Sequence, residues 1–223
     1  MQSHLNTNMK PTLQHPNKKG LYNKYFKRIL DFILSLSALL ILSPLLFAVG
    51  ILIILDSKGP IFFTQERPGK NVKIFKVYKF RTMVQDAVKQ QKVGVEVKGN
   101  DIRITPLGRF LRRFKIDELA QLLNILKGDM SIVGPRPTLP EYINQYEKWE
   151  LKRFDAKPGL TGFAQINGNI YLERKEKSAY DVEYIEKISF VTDIRIIFKT
   201  IAIVVFGEDK FINKFRNQNK RGE

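Results

Sequence analysis

From Phe32 to Leu55 the chain carries no charged residue, and no other feature limits its fold as much. A straight helix over that run rises about 36 Å against about 30 Å of bilayer hydrocarbon, so one transmembrane helix satisfies the composition. Ser43-Pro44 stands at the middle of the run. Proline removes a backbone hydrogen bond and clashes with the preceding turn. Each half then rises only about 18 Å, too little to span. The flanks add a second constraint. Lys18, Lys19, Lys24, Lys27 and Arg28 precede the run, and Lys58, Arg67, Lys70, Lys73, Lys76, Lys79 and Arg81 follow it. Basic flanks mark the cytoplasmic side of a membrane. Two basic flanks suit a chain that enters, turns at Ser43-Pro44 and leaves on the same side. Proline kinks also occur in spanning helices, so the run itself admits both a span and a re-entrant hairpin.

The rest of the chain narrows the chemistry. There is no Cys, which excludes disulfides, thiolate metal sites and Cys nucleophiles. His4 and His15, the only two histidines, lie in a polar N-terminal stretch, which disfavours a Ser-His-Asp triad or a His-rich zinc site. Carboxylates, hydroxyls and cations are left to act. A net charge of +16 calls for an anionic partner: nucleic acid, anionic lipid or a phosphorylated substrate. Neither G-x-x-x-x-G-K-[ST] nor G-x-G-x-x-G occurs, and there is no Asp-x-Asp pair.

The apolar periodicity predicts an α+β, mainly helical protein. Residues 1–23 read as a disordered basic tail, 24–56 as the membrane helix, 57–206 as a folded domain and 207–223 as a basic C-terminal tail. Residues 61–66 and 72–80 are rich in Ile, Phe, Val and Tyr around the turn residues Arg67-Pro68-Gly69-Lys70-Asn71, which predicts a β-hairpin. Residues 84–104 read as a polar loop with a short strand at 93–97. Helices are expected from Pro106, with Leu107, Phe110, Leu111 and Phe114 as one stripe, and over Asp117–Leu126, ending at Gly128. Further helices are expected over 139–154 and 180–206. The last carries the stripe Ile194, Ile197, Phe198, Ile201 and Val205, which suits a core or a membrane interface.

The chemistry concentrates in Arg109–Glu118, Arg-Phe-Leu-Arg-Arg-Phe-Lys-Ile-Asp-Glu, where two adjacent carboxylates follow four cations. Acidic residues in the first turn of a helix are ordinary, because the helix dipole favours them. The density of cations is not ordinary. Arg112, Arg113, Lys115, Arg136 and the strand end Lys79-Phe80-Arg81 are expected to face one pocket. Such a pocket is expected to keep a carboxylate ionised and to neutralise an approaching phosphate. An aspartate can attack phosphorus. Adjacent helical residues point about 100° apart, so Asp117 and Glu118 are expected to differ in role. With no Cys and no useful His, a cation assisting at a pyrophosphate is expected to be a hard one, Mg²⁺.

Several segments together resemble the bacterial sugar transferase family, the small monotopic phosphoglycosyl transferases that begin surface-glycan assembly. They are Lys27–Phe32, Ser43-Pro44, Phe63–Gly69, Tyr78–Met83, Asp117–Leu122, Lys127–Pro137 and Pro158–Gly162, in order across about residues 24–206. The resemblance implies transfer of a sugar-1-phosphate from a UDP-sugar to polyprenol phosphate, with release of UMP. It implies Asp117 as nucleophile of a ping-pong mechanism with Mg²⁺, which Asp117 would help to bind, and Glu118 beside it. Lys79, Arg81, Arg112 and Arg136 are implied around phosphate or nucleotide. It also implies a membrane helix broken at Ser43-Pro44, with the catalytic domain on the cytoplasmic face of the inner membrane. Ala120, Phe163 and Asn169 stand where the family more often has Pro, Trp and Arg. None of them touches the dyad, and Asn169 leaves the sugar open. A membrane-tethered nucleic-acid binder would also carry +16, but the cations are spread over hairpin and helices rather than ordered on one recognition element. Nucleic acid is therefore not expected as a partner. A non-catalytic scaffold would not need the intact dyad. Nothing in the sequence specifies an oligomer.

Overall fold

The computed structural model describes residues 20–85, 87 and 101–207; the strand expected at 93–97 and most of both tails lie outside them. A π-helical turn, Tyr22–Phe26, leads into helix α1, Lys27–Asp56. Helix α1 is one continuous element with Pro44 inside it, not the two helices expected on either side of Ser43-Pro44. Pro44 cannot donate to the carbonyl of Leu40, and the Ser43 hydroxyl donates to that carbonyl instead, at 2.8 Å. The adjacent serine thus satisfies the group that the proline orphans.

One stripe of α1 is covered, fully toward its two ends and partly between them. Lys27, Asp31, Ser35, Val49, Gly50 and Ile53 are buried at helical spacing. Ala38, Leu39 and Leu46 pack between them against the rest of the chain. The remaining faces expose large apolar side chains, among them Phe32, Leu40, Ile41, Phe47 and Leu55. Polar contacts fix the N-terminal end. Lys27 and Tyr22 both meet the Asp193 carboxylate. Arg28 donates to the carbonyls of Ile125 and Leu126, and Asp31 Oδ1 accepts from the Ile132 N–H at 3.0 Å.

After α1 come strands β1, Phe62–Pro68, and β2, Ile74–Phe80, paired antiparallel with Phe62 opposite Phe80 and Pro68 opposite Ile74. The hairpin matches its expectation. Helix α2, Pro106–Arg113, also starts where expected, with Thr105 capping the Gly108 N–H. The helix expected over Asp117–Leu126 is two pieces, a 3₁₀ segment Ile116–Gln121 and the short helix α3, Leu122–Lys127. Gly128 ends α3 at φ 89°, a conformation that glycine adopts without strain. Asn124 on α3 is fully buried and acts as a strand substitute: its amide donates to the Lys76 carbonyl (2.8 Å) and accepts from the Tyr78 N–H (2.9 Å).

Strands β3, Ser131–Val133, and β4, Gly159–Thr161, form a parallel pair that periodicity did not reveal. A Cβ on Gly159 would lie 2.1 Å from the Gly134 nitrogen, so the two backbones meet only because no side chain intervenes. In place of a helix over 139–154 stand two 3₁₀ segments, Pro140–Gln145 and Glu150–Asp155. The Glu150 carboxylate accepts from the Glu147 N–H between them, a local bond that competes with a continuing helix. Helix α4, Phe163–Ile166, is one turn. The helix expected over 180–206 is two, α5, Arg174–Glu186, and α6, Phe190–Phe206, because Ser189 caps the Thr192 N–H and restarts the chain.

Three apolar clusters hold these parts together. Val49 and Ile53 of α1 join Phe80, Leu111 and Ala120. Val77 joins Leu122, Ile125 and Met130. Val133 and Ile166 join Tyr184, Ile185 and Ile196. The first two flank the end of β2 and the 3₁₀ segment, where the acidic dyad lies.

Candidate active site

The dyad is presented by a sharp turn. Lys115, between α2 and the 3₁₀ segment, takes the left-handed conformation (φ 57°, ψ 19°). For a residue with a Cβ this costs about 1–2 kcal/mol. The turn is closed by Lys115 N–H to Arg112 O and Glu118 N–H to Lys115 O, both at 3.2 Å. Asp117 and Glu118 follow, buried to 7% and 8% exposure. In a 3₁₀ helix consecutive side chains diverge by about 120°, and the two carboxylates have different surroundings.

Glu118 is fully engaged. Lys79 Nζ lies 2.8 Å from its Oε1, and Arg136 places Nη2 at 2.7 Å from Oε1 and Nη1 at 3.3 Å from Oε2. Burial pushes the Glu118 carboxyl up, but Arg136 and Lys79 more than reverse this and hold it well below the usual carboxylate range. Asp117 is the opposite case. Its Oδ1 is buried without a hydrogen-bond partner. Burial, and then the Glu118 charge, push its carboxyl up, and Lys79, Arg112 and Lys115 only partly offset them. The cations were expected to depress Asp117; two of them sit on Glu118 instead, and desolvation governs Asp117.

The other candidates divide. Lys79 on β2 and Arg136 on the Gly134–Pro137 loop converge on Glu118. Arg112 on α2 donates from Nε to Thr82 Oγ1 at 2.8 Å and lies within electrostatic reach of Asp117. Arg81 is employed elsewhere. Its guanidinium donates to the carbonyls of Ile53 (3.0 Å), Ser57 (2.5 Å) and Lys58 (2.7 Å), closing the C-terminal end of α1. It was expected at phosphate; its bonds make it the cap of the long helix. Arg67, half-buried and not among the expected site residues, feels the Arg136 and Glu118 charges; burial and then Arg136 lower it to about 10. Its position inside Phe63–Gly69 was the signal that pointed to it.

Among the described residues no group of three or more His, Cys, Asp or Glu side chains is gathered for a metal ion. A hard cation here would take one protein carboxylate and complete its shell with water and substrate oxygens, a set that suits Mg²⁺. The Asp117 carboxylate, not tied up by cations as that of Glu118 is, is the group that fits.

The profile of the bacterial sugar transferase family matches residues 22–207. The chain is 44% identical over 191 residues to the exopolysaccharide production protein PSS of Rhizobium leguminosarum bv. phaseoli, covering 79% of this chain and 93% of that protein. It is 39% identical over 186 residues to the uncharacterized sugar transferase EpsL of Bacillus subtilis, covering 82% and 88%. It is 42% identical over 187 residues to the UDP-glucose:undecaprenyl-phosphate glucose-1-phosphate transferase of Escherichia coli, covering 80% of this chain but only 40% of that longer protein. The dyad and its cations lie inside residues 22–207, and the chain belongs to the bacterial sugar transferase family.

Proposed function

We propose that the protein transfers a sugar-1-phosphate from a UDP-sugar to polyprenol phosphate and releases UMP. The observation that carries this reading is the asymmetry of the dyad: Glu118 is locked by Lys79 and Arg136, and Asp117 keeps one buried oxygen unpartnered. That oxygen attacks the phosphorus bearing the sugar. An Asp117–phosphorus bond forms, the pyrophosphate P–O bond breaks and its electron pair leaves with UMP. A polyprenol phosphate oxygen then attacks the same phosphorus, giving the lipid pyrophosphoryl sugar and returning the Asp117 carboxylate. Lys79, Arg112 and Arg136 stabilise charge on the phosphoryl oxygens without reorganising. Bound Mg²⁺, held by Asp117 and substrate oxygens, would supply further neutralisation of the pyrophosphate.

The lipid substrate requires the site to lie at a membrane. Tyr22–Asp56 is long and apolar enough to cross one by length and composition. Its covered stripe favours a different arrangement. If α1 stood upright through a bilayer, Lys27 and Asp31 would leave Asp193 and the Ile132 N–H while Ile53 stayed with Phe80, or the reverse. Separating these pairs breaks contacts that are buried in the folded chain, at about 1–3 kcal/mol for each polar group left unpaired. The helix instead lies with both ends on the cytoplasmic side of the inner membrane and its bare apolar faces in lipid. Ser43, by serving the Leu40 carbonyl, keeps Pro44 from leaving an orphaned group in the bilayer.

UMP release from a panel of UDP-sugars, with and without polyprenol phosphate and Mg²⁺, tests the proposal. One sugar should support release in both conditions, with sustained turnover only when the lipid is present. No release from any UDP-sugar in the presence of lipid and Mg²⁺ would refute it.

A further inference from the structure

Arg136 reaches Glu118 from a loop, and a loop side chain is only as well placed as its backbone. Pro135 and Pro137 supply part of the placement, because proline locks its own φ and confines the residue before it to extended conformations. The Gly159 N–H supplies more by donating to the Pro135 carbonyl at 2.9 Å. The Arg136 carbonyl itself is held by Arg153, whose Nη2 donates to it at 3.0 Å. Arg153 Nη1 donates to the Tyr146 hydroxyl, and that hydroxyl donates to Thr138 Oγ1 at 3.0 Å. One guanidinium therefore ties residue 136 directly and residue 138 through Tyr146.

Arg153 is itself well anchored. It is 6% exposed, and it lies over the rings of Tyr146 and Phe154 at 5.0 and 5.8 Å. Asp181 of α5, 1% exposed, brings Oδ2 to 2.7 Å from Arg153 Nη2. The planar fork addresses the Arg136 carbonyl and the Tyr146 hydroxyl in one fixed geometry, with the Asp181 charge beside it, which a lysine cannot do. We infer that Arg153 is a positioning residue for sugar-phosphate transfer: it fixes the Arg136 backbone so that the Arg136 guanidinium engages Glu118. The kinetic half of this inference rests on the proposed function; the geometric half does not.

Replacing Arg153 alone strands a buried Asp181 charge and can unfold the protein. The test therefore uses R153M/D181N, with D181N as its baseline, and R153K, which keeps the charge without the fork. UMP release is measured on the folded, monodisperse fraction. R153M/D181N should lose roughly 10- to 100-fold relative to D181N, the scale of a reacting-site misplacement near 1 Å. R153K should fall between. Added to R136M, R153M/D181N should cost no more than about twofold further, because both act through one side chain. Losses that multiply, or wild-type turnover in R153K, would overturn the inference. A crystal structure of R153M/D181N supplies a readout independent of the reaction. The Arg136–Glu118 contact, 2.7 Å in the wild type, should be lost. Its retention would overturn the inference even if no UDP-sugar proves to be a substrate.

Discussion

Arg81 separates a structural cation from a substrate-binding one. Its guanidinium is 8% exposed and closes the end of α1 through the carbonyls of Ile53, Ser57 and Lys58. Gly59, at φ +128°, leaves it room: a Cβ there would lie 2.0 Å from Arg81 Nη1. A hydrogen bond from a charged donor contributes about 1.5–3 kcal/mol, and an acceptor left buried and unpaired costs a similar amount. The carbonyls can relax partly toward water, so Arg81→Met should cost about 3–5 kcal/mol, near the range for breaking a buried charged contact. For a domain of this size that lowers the midpoint of thermal unfolding by about 6–20 °C. Arg81→Lys, with a single ammonium in place of the fork, should lose about half as much. The assay is circular dichroism melting in detergent, paired with the KM for the UDP-sugar on the folded fraction. That KM should stay within about twofold of wild type, since mutations at independent sites leave one another's energies nearly unchanged. A normal melting midpoint with a KM raised tenfold or more would refute the capping role and return Arg81 to the substrate.

Other outcomes follow from the same contacts. Asn124→Leu leaves the Lys76 carbonyl and the Tyr78 N–H buried and unpaired and should cost about 2–4 kcal/mol, read as a lowered melting midpoint; an unchanged midpoint would show that these bonds contribute nothing net. Glu118 is held below its ordinary value, so the stability it contributes is present above about pH 4.5, the ordinary glutamate range, and is lost as the pH falls toward its folded value. Glu118→Gln should flatten this acid limb of a stability–pH profile, and an identical limb in the variant would contradict the assignment. The chain has no native Cys, so single cysteines at Lys24 and Lys73 report topology cleanly. An impermeant thiol reagent should label neither in intact cells and both after permeabilisation; labelling of only one in intact cells would establish a span.

What could be read from the sequence divides along physical lines. The β1–β2 hairpin and α2 were legible because turn residues and a 3.6-residue apolar period are local signals. Strands β3 and β4 were not: at three residues each, meeting through a close glycine contact, they are too short to carry a period. The dyad stood out by its cations, yet their allocation did not. Lys79 approaches Glu118 from 39 positions away and Arg136 from 18, and only the folded chain shows that both choose Glu118 and leave Asp117 to desolvation. Arg81 was grouped with Lys79 as one strand end, where alternation would send both to one face. β2 ends at Phe80, so that alternation no longer governs Arg81, which turns under α1. The break expected at Ser43-Pro44 followed from proline chemistry, the basic flanks and the family resemblance; α1 runs on through Pro44, and the serine hydroxyl bonds the carbonyl that the proline leaves.

The central claim is that the free oxygen of Asp117 carries the phosphosugar. Enzyme is incubated with Mg²⁺ and a UDP-sugar labelled in the sugar, without polyprenol phosphate, then quenched, digested and mapped by mass spectrometry. One labelled peptide is expected, modified at Asp117, with one UMP released per labelled site. Asp117→Asn should give neither label nor UMP, and adding polyprenol phosphate to the labelled wild type should discharge the label into lipid. Label on another residue, or turnover with no labelled enzyme and a strict need for both substrates together, would contradict it.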